Sequence, residues 1–138
     1  DYAEFFPRGG DTQRGDIIAL DETTNKEQYV KATAGSLCVV GVHTEDFASI
    51  IGGRTLSPGD DILKTNLPTY IPVALAGRVP VRMYGKARKG GWVIPSEMPG
   101  VGRMALSGES LTQAVGQIVK DDTAENVRLV KIIVRSGR

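Results

Sequence analysis

The sequence predicts an all-β fold, a single-domain barrel or sandwich with little helix. Residues 71–84, IPVALAGRVPVRMY, alternate with a period of two, which is typical of a strand with one buried and one wet face. Seventeen glycines and seven prolines punctuate short apolar runs along the rest of the chain. Short strands separated by such turn residues indicate a barrel or a sandwich.

Six further segments have the composition of strands, at residues 16–20, 28–33, 37–44, 92–95, 114–120 and 127–135. Within the long segment, Gly77 and Pro80 predict a bend, a bulge or an edge location, or two strands meeting at a corner. The last segment, VRLVKIIVR, is almost continuously apolar, which predicts a central strand covered on both faces. Helix is limited to a turn or two near EDFASIIGG, residues 45–53.

The chain contains two approximate internal repeats. RGDIIAL at 14–20 matches KGGWVIP at 89–95, and SLCVVGVHTED at 36–46 matches SLTQAVGQIVKDD at 110–122. Both matches keep their order and an offset of roughly 75 residues, as related repeats do. We therefore expect two pseudo-repeated β lobes around one core.

Composition excludes several classes of partner. The 138 residues form one domain, and their 17 basic and 16 acidic side chains leave a formal net charge of +1, so neither nucleic acid nor an anionic membrane is expected as a partner. The longest apolar runs are far shorter than the roughly 20 residues that span a bilayer, and no basic-then-apolar leader precedes them. One group of basic residues is expected on the wet face of a strand and its turn: Arg78, Arg82, Lys86, Arg88 and Lys89.

The sequence predicts no metal site and no cofactor. One cysteine and one histidine, Cys38 and His43, do not suffice for the usual zinc sites. Cys38 is expected to be a small buried hydrophobe, on the opposite strand face from His43. His43, Glu45 and Asp46 are interpreted as strand-end residues that face water.

The chain opens with two carboxylates, Asp1 and Glu4, in the stretch DYAEFF. Taken alone, such residues are most simply solvated terminal charges, and EFFP is a hydrophobic anchor for an N-terminal arm, residues 1–13. Together with RGDIIAL, VVGVHTED, VPVRMYGKARKGGWVIPS and AENVRLVKIIV, however, the opening resembles the C-terminal autoprocessing domain of bacteriophage tail-spike and pre-neck appendage proteins. The resemblance covers nearly the whole chain, and Asp-Tyr-Ala-Glu is its most specific element.

This resemblance implies an intramolecular chaperone with a glutamic-peptidase-type self-cleavage. Such a domain assists trimerisation of the β-structured spike upstream in its own polypeptide, then cuts the bond before Asp1, which becomes the first residue after the cut. The family's catalytic motif maps onto Asp1 and Glu4 alone. The implied partners are a homotrimer and the upstream spike region, and the implied location is the host bacterial cytoplasm during virion assembly, with the domain transiently part of the appendage.

Two carboxylates suit the chemistry of peptide cleavage, and the sequence leaves the route open. Glu4 is a candidate general base for a water, with Asp1 orienting the bond or supplying the proton. Alternatively, the Asp1 side chain attacks the preceding carbonyl through a six-membered ring, with Glu4 assisting. Because residues 1 and 4 of an extended segment point to opposite faces, the segment must turn, or the second carboxylate must come from another subunit.

Two other functions compete with self-cleavage. One is a non-catalytic trimeric β cap or host-binding tip of a phage fibre. The other is a carboxylate-pair hydrolase such as a glycosidase, which needs two facing acids in a cleft lined with aromatic side chains. One Trp, four Tyr and three Phe make that lining thin.

Overall fold

The computed structural model describes residues 1–135, which form ten strands and one short helix. The strands are β1 (Tyr2–Pro7), β2 (Ile17–Leu20), β3 (Tyr29–Lys31), β4 (Val39–His43), β5 (Ser49–Ile51), β6 (Tyr70–Met83), β7 (Trp92–Pro95), β8 (Gly102–Met104), β9 (Gly116–Ile118) and β10 (Arg128–Val134), and the helix is α1 (Ile62–Asn66). Strands contain 41% of the residues and helix contains 4%, so the predicted all-β class is confirmed.

Strand β6 runs through both halves of the molecule. Its first half, residues 70–76, pairs with β1 and β4, whereas its second half, residues 77–83, pairs with β10. At the boundary, Gly77 has a φ of +103°, a conformation that residues with a side chain rarely adopt. One continuous strand therefore passes through this position, where the sequence predicted a bend or two separate strands.

The second half of β6 closes a five-stranded barrel with β8, β7, β9 and β10, and we call residues 77–135 the C-terminal lobe. The ring closes where Met83 of β6 pairs in parallel with Gly102 of β8. Val79, Val81 and Met83 point into this barrel and alternate with more exposed neighbours. The period of two in the sequence is confirmed here.

The N-terminal lobe, residues 1–76, has the same strand order. The first half of β6 joins β1 to β4, and β4 leads to β2 and then β3. A parallel bridge between Arg8 and Tyr29 brings β3 back to the end of β1, as the parallel pair of β6 and β8 does in the other lobe. Strand β5 adds to β1 in parallel and, with α1, forms an insertion between β4 and β6.

Backbone hydrogen bonds relate the two lobes residue by residue. In each lobe the glycine turn before a strand exchanges two bonds with the strand that pairs beside it, and equivalent residues are 75 positions apart. The bonds are Gly15 N–H to His43 O (2.9 Å), His43 N–H to Asp16 O (2.8 Å), Gly90 N–H to Ile118 O (2.7 Å) and Ile118 N–H to Gly91 O (2.8 Å). The predicted pair of related lobes is therefore present, with the predicted offset.

Most of the apolar core is shared between the lobes. One cluster joins Ile17 and Val42 of the N-terminal lobe to Val81 and Ile132 of the C-terminal lobe. These four side chains are fully buried, and burial of each contributes about 1.5–3 kcal/mol. A smaller cluster lies inside the N-terminal lobe and contains Ile18, Tyr29, Ile71 and Val73.

Two burial predictions are wrong. Cys38 is exposed because β4 begins only at Val39 and the thiol lies in the preceding turn. Strand β10 has both edges paired, with β6 and β9, but only alternate side chains are buried. A barrel wall covers one face of a strand only, so the apolar residues Leu129 and Ile133 lie on the outside.

The predicted helix is also misplaced. Residues 45–53 contain β5, while the helix lies further along the insertion, at Ile62–Asn66. Its N-cap is Asp61, whose carboxylate accepts the Lys64 N–H at 2.9 Å. Pairing with β1 outweighs local helix propensity in the first segment, since the apolar pair Ile50 and Ile51 lies beside Ala3 and Glu4.

Candidate functional site

Asp1 lies just before β1, in a cradle made by the end of β4 and by Gly77. The Thr44 hydroxyl donates to Asp1 Oδ2 at 3.1 Å, and the Ala48 N–H donates to the Asp1 backbone carbonyl at 3.1 Å. A Cβ atom on Gly77 would lie only 2.7 Å from Asp1 Cα, so the glycine leaves the space that Asp1 occupies. Asp1 is thus held by contacts that involve both its side chain and its backbone.

Glu4 lies within β1, between two other strands. It pairs with Ile51 of β5 on one side and with Val73 of β6 on the other. Its neighbour on the same strand face is Phe6, whose ring packs edge-on against Tyr29 with 4.7 Å between centroids. Burial, followed by the hydrogen bond that the Tyr29 hydroxyl donates to Glu27, raises the pKa of Tyr29 to about 12, so this phenol is a hydrogen-bond donor and not a base.

The equivalent position in the C-terminal lobe is apolar. Val79 pairs with Ile132 as Glu4 pairs with Val73, and Val79 is only 1% exposed. The fold therefore accepts a buried aliphatic side chain at this point of the barrel. A half-buried carboxylate is a departure specific to the N-terminal lobe.

The structure does not assemble the two predicted catalytic residues on one bond within a single chain. Because β1 is extended from Tyr2 onward, the Cα atoms of Asp1 and Glu4 lie about 10 Å apart. Among residues 1–135, no hydrogen bond links their side chains. Asp1 and Glu4 both belong to the N-terminal lobe and stay predicted catalytic residues.

Next to this cradle is a polar chain that the sequence did not indicate. His43 was expected to face water, but it is 2% exposed, because β4 carries it into the lobe beside the loop after β1. The His43 Nδ1 lies 2.8 Å from Thr12 Oγ1, and its Nε2 lies 2.8 Å from Glu45 Oε2. The interpretation of His43 as a water-facing residue is therefore wrong.

The partners of Thr12 fix the direction of these bonds. Arg8 Nη1 can only donate, and it lies 3.1 Å from Thr12 Oγ1, so that oxygen accepts from the arginine and donates its own proton to His43 Nδ1. His43 then carries its proton on Nε2 and donates it to Glu45. Burial lowers the pKa of His43, although the Glu45 carboxylate opposes this effect, and the ring is neutral at pH 7.

The order hydroxyl, imidazole, carboxylate is that of a nucleophilic triad, but the surroundings exclude that role. A triad histidine must reach the leaving group of a bound substrate. With 2% of its surface exposed and both nitrogens bonded, His43 cannot do so. Thr12, His43 and Glu45 instead tie the loop after β1 to the end of β4.

Arg82 lies on the outer face of β6, as expected, but it is only 24% exposed and forms an ion pair. Its Nη1 donates to Asp16 Oδ1 at 2.7 Å, and the other oxygen of Asp16 accepts the Gln13 N–H at 2.8 Å. Asp16 is fully buried. The exposed arginine of the same strand, Arg78, forms no ion pair with any of residues 1–135.

Other kinds of site find no support in the described part of the chain. Residues 1–135 contain no group of three His, Cys, Asp or Glu side chains arranged to hold a metal ion. A cavity of about 240 Å³ between the lobes is lined by aliphatic side chains with Thr112 and Arg135 and contains no carboxylate. A second pocket, of about 340 Å³, contains the carboxylates of Glu45 and Asp46 but no aromatic side chain, unlike a glycosidase cleft. Within residues 1–135, no helix is long and apolar enough to cross a membrane.

Comparison with known proteins found fold neighbours in a bacteriophage. No family model and no curated protein matches the chain. Among solved structures, 98% of the chain matches the C-terminal fragment of bacteriophage phi29 gene product 12 over that fragment's full length, with a TM-score of 0.70 and 14% identity. The pre-mature form of the same gene product matches with a TM-score of 0.70 and 13% identity, and the chain spans 21% of its length. At this identity the likeness establishes the fold.

Proposed function

We propose that this chain is the self-releasing C-terminal chaperone domain of a phage or prophage tail spike or appendage. In this proposal it assists trimerisation of the upstream β-structured region, in the host bacterial cytoplasm, and then cuts the bond immediately before Asp1. The observation that carries the proposal is the fold match. The same fold occurs as a separate C-terminal fragment and as one fifth of a pre-mature protein, as expected for a domain that leaves its parent chain.

The contacts of Asp1 support a role at the cleaved bond. A carboxylate fixed by Thr44, next to a glycine that leaves room for it, has a defined direction relative to the peptide bond before Asp1. The surroundings of Glu4 suit a general base. Its carboxylate is half-buried and forms no hydrogen bond with residues 1–135, so both oxygens are available to a proton donor. The reaction is that of a glutamic-type endopeptidase acting once.

The separation of Asp1 and Glu4 favours cleavage between subunits. Since the Cα atoms of Asp1 and Glu4 lie about 10 Å apart along β1, we infer that Glu4 of a neighbouring copy reaches the bond before Asp1. Cleavage then requires the trimer to have formed. This order suits a chaperone that leaves only after its client has assembled.

The experiment is to express this domain behind about 50 to 100 residues of its native upstream sequence, roughly a small domain, and to measure intact masses. We expect the wild type to split just before Asp1, and Glu4→Ala and Asp1→Ala to stay whole. Glu125→Ala, which removes an exposed acid distant from β1 in the chain, is the control and is expected to split normally. If wild type and variants all stay whole in assembled trimers, the chain is a non-catalytic β cap or host-binding tip.

A further inference from the structure

The hydroxyl of Thr44 has a fixed direction. Thr44 is 4% exposed, and its Oγ1 accepts the Asp46 N–H at 3.4 Å, so its proton points to Asp1 Oδ2, 3.1 Å away. The second oxygen of the Asp1 carboxylate forms no hydrogen bond with residues 1–135. One oxygen is thus held and the other is left for the reaction.

The second lobe shows what this position looks like without a site. Thr44 corresponds to Val119, 75 residues later, since both follow the matched pair of His43 and Ile118. The Thr44 N–H donates to Pro72 O at 2.9 Å, and the Val119 N–H donates to Lys131 O at 3.3 Å. The fold therefore accepts an isopropyl group at the equivalent position, and the backbone bond of Thr44 does not require its hydroxyl.

The neighbours of Thr44 differ between the lobes in the same way. His43 corresponds to the buried, apolar Ile118. Through its bonds to Thr12 and Glu45, His43 fixes the backbone on both sides of Thr44. A polar chain in this lobe replaces apolar packing in the other, directly beside the Asp1 cradle.

We propose that Thr44 is a positioning residue for self-cleavage, whose hydroxyl holds Asp1 Oδ2 so that Oδ1 faces the bond before Asp1. This inference rests on the proposed function. The hydroxyl takes no part in making or breaking bonds. Its role is the same whether Asp1 attacks the carbonyl or orients the bond for a water.

The test compares Thr44→Val, Thr44→Ser and Thr44→Ala in the protein that carries the upstream residues. Cleavage is followed by intact mass over time, and the melting temperature of each variant is recorded. Loss of one hydrogen bond to a charged group predicts that Thr44→Val and Thr44→Ala cleave about 10- to 100-fold more slowly. Thr44→Ser keeps the hydroxyl and is expected to cleave within a few-fold of the wild-type rate.

Val119→Thr is the matched control, because it adds the same hydroxyl to the lobe that has no Asp1, and it is expected to leave the rate unchanged. Wild-type rates in folded Thr44→Val or Thr44→Ala would overturn the inference, as would equal slowing in Thr44→Ser. If Thr44→Val fails to fold, Thr44→Ala and Thr44→Ser decide. A wild type that never splits contradicts the proposed function itself, whereas a wild type that splits alongside an equally fast Thr44→Val contradicts only the role of Thr44.

Discussion

At the scale of single residues, His43 gives the protein a specific pH dependence. Burial holds the folded-state pKa of His43 below its usual value of 6.5, so the unfolded chain binds a proton there more readily than the folded one. The stabilising contribution is complete above about pH 6.5 and is lost as the pH falls through the folded-state pKa. We expect the free energy of unfolding of the wild type, measured by urea denaturation, to fall between pH 7.5 and pH 5.

His43→Ile is the informative variant, since isoleucine occupies the matched position in the C-terminal lobe. The variant removes the titrating ring and keeps the other acids and bases, so it is expected to show a shallower decrease over the same range. An identical pH dependence in the two proteins would show that His43 is as easily protonated in the folded state as in the unfolded state.

The ion pair of Arg82 and Asp16 supports a second prediction. Arg82→Met leaves a fully buried carboxylate with only the Gln13 N–H as partner, which costs about 2 to 4 kcal/mol. Arg78→Met is the control, because Arg78 lies on the same strand but is exposed, and it is expected to change stability by no more than about 0.5 kcal/mol. Equal effects of the two substitutions on chemical denaturation would mean that the pair contributes nothing.

At the scale of elements, each lobe places one glycine where two strands come into close contact. A Cβ atom on Gly41 of β4 would overlap the Ala74 carbonyl of β6, and a Cβ atom on Gly116 of β9 would overlap the Ile133 carbonyl of β10. Because backbone cannot move aside cheaply, we expect Gly41→Ala and Gly116→Ala each to cost about 2 to 4 kcal/mol.

Gly35→Ala is the matched control for both. Nothing lies within 4 Å of a Cβ atom at Gly35, and its backbone has an ordinary φ, so the substitution is expected to be neutral or to stabilise by up to about 1 kcal/mol. Thermal melts of the three variants measure the difference. Comparable melting temperatures in all three would contradict the close approach of the strands.

Sequence patterns located most of the strands but not all of them. The alternation in β6 and the glycine-bounded run of β7 predicted those strands closely. Of the three-residue strands, β3 and β9 lie within predicted segments, whereas β5 and β8 were not predicted. Strand β1 lies within the predicted N-terminal arm, and pairing with β5 and β6 makes it a strand.

The candidate site could be predicted only in part, for a similar reason. Asp1 and Glu4 were indicated by a resemblance, whereas no motif singled out Thr44 or Thr12. Their contacts join residues 43 and 31 positions apart, and such contacts depend on the register of β4 against the rest of its lobe. One sign lies in the repeats SLCVVG and SLTQAVG: when Gly41 and Gly116 are aligned, the second copy has Ile118 and Val119 where the first has His43 and Thr44.

At the scale of the whole molecule, the two lobes share a fold and differ in their polar side chains. They share strand order and turn hydrogen bonds, so the C-terminal lobe shows what the fold requires. The N-terminal lobe departs from it with polar groups at Glu4, His43 and Thr44, and with the inserted β5 and α1. These departures lie around β1 and the end of β4, the region in which the proposed cleavage takes place.

Mixed trimers distinguish cleavage between subunits from cleavage within one chain. Suppose that Glu4 of one chain acts as the base at the bond before Asp1 of a neighbouring chain. When Asp1→Ala and Glu4→Ala proteins with the upstream residues are co-expressed, we then expect mixed trimers in which cleavage is restored. The cut chain is the Glu4→Ala chain, which keeps Asp1, and an affinity tag of different mass on each chain identifies it by intact mass. Each variant alone is expected to stay whole. Mixed trimers that are recovered by both tags and remain uncut would place Asp1 and Glu4 of the same chain on one bond, which requires β1 to leave its pairing with β5 and β6 before the cut.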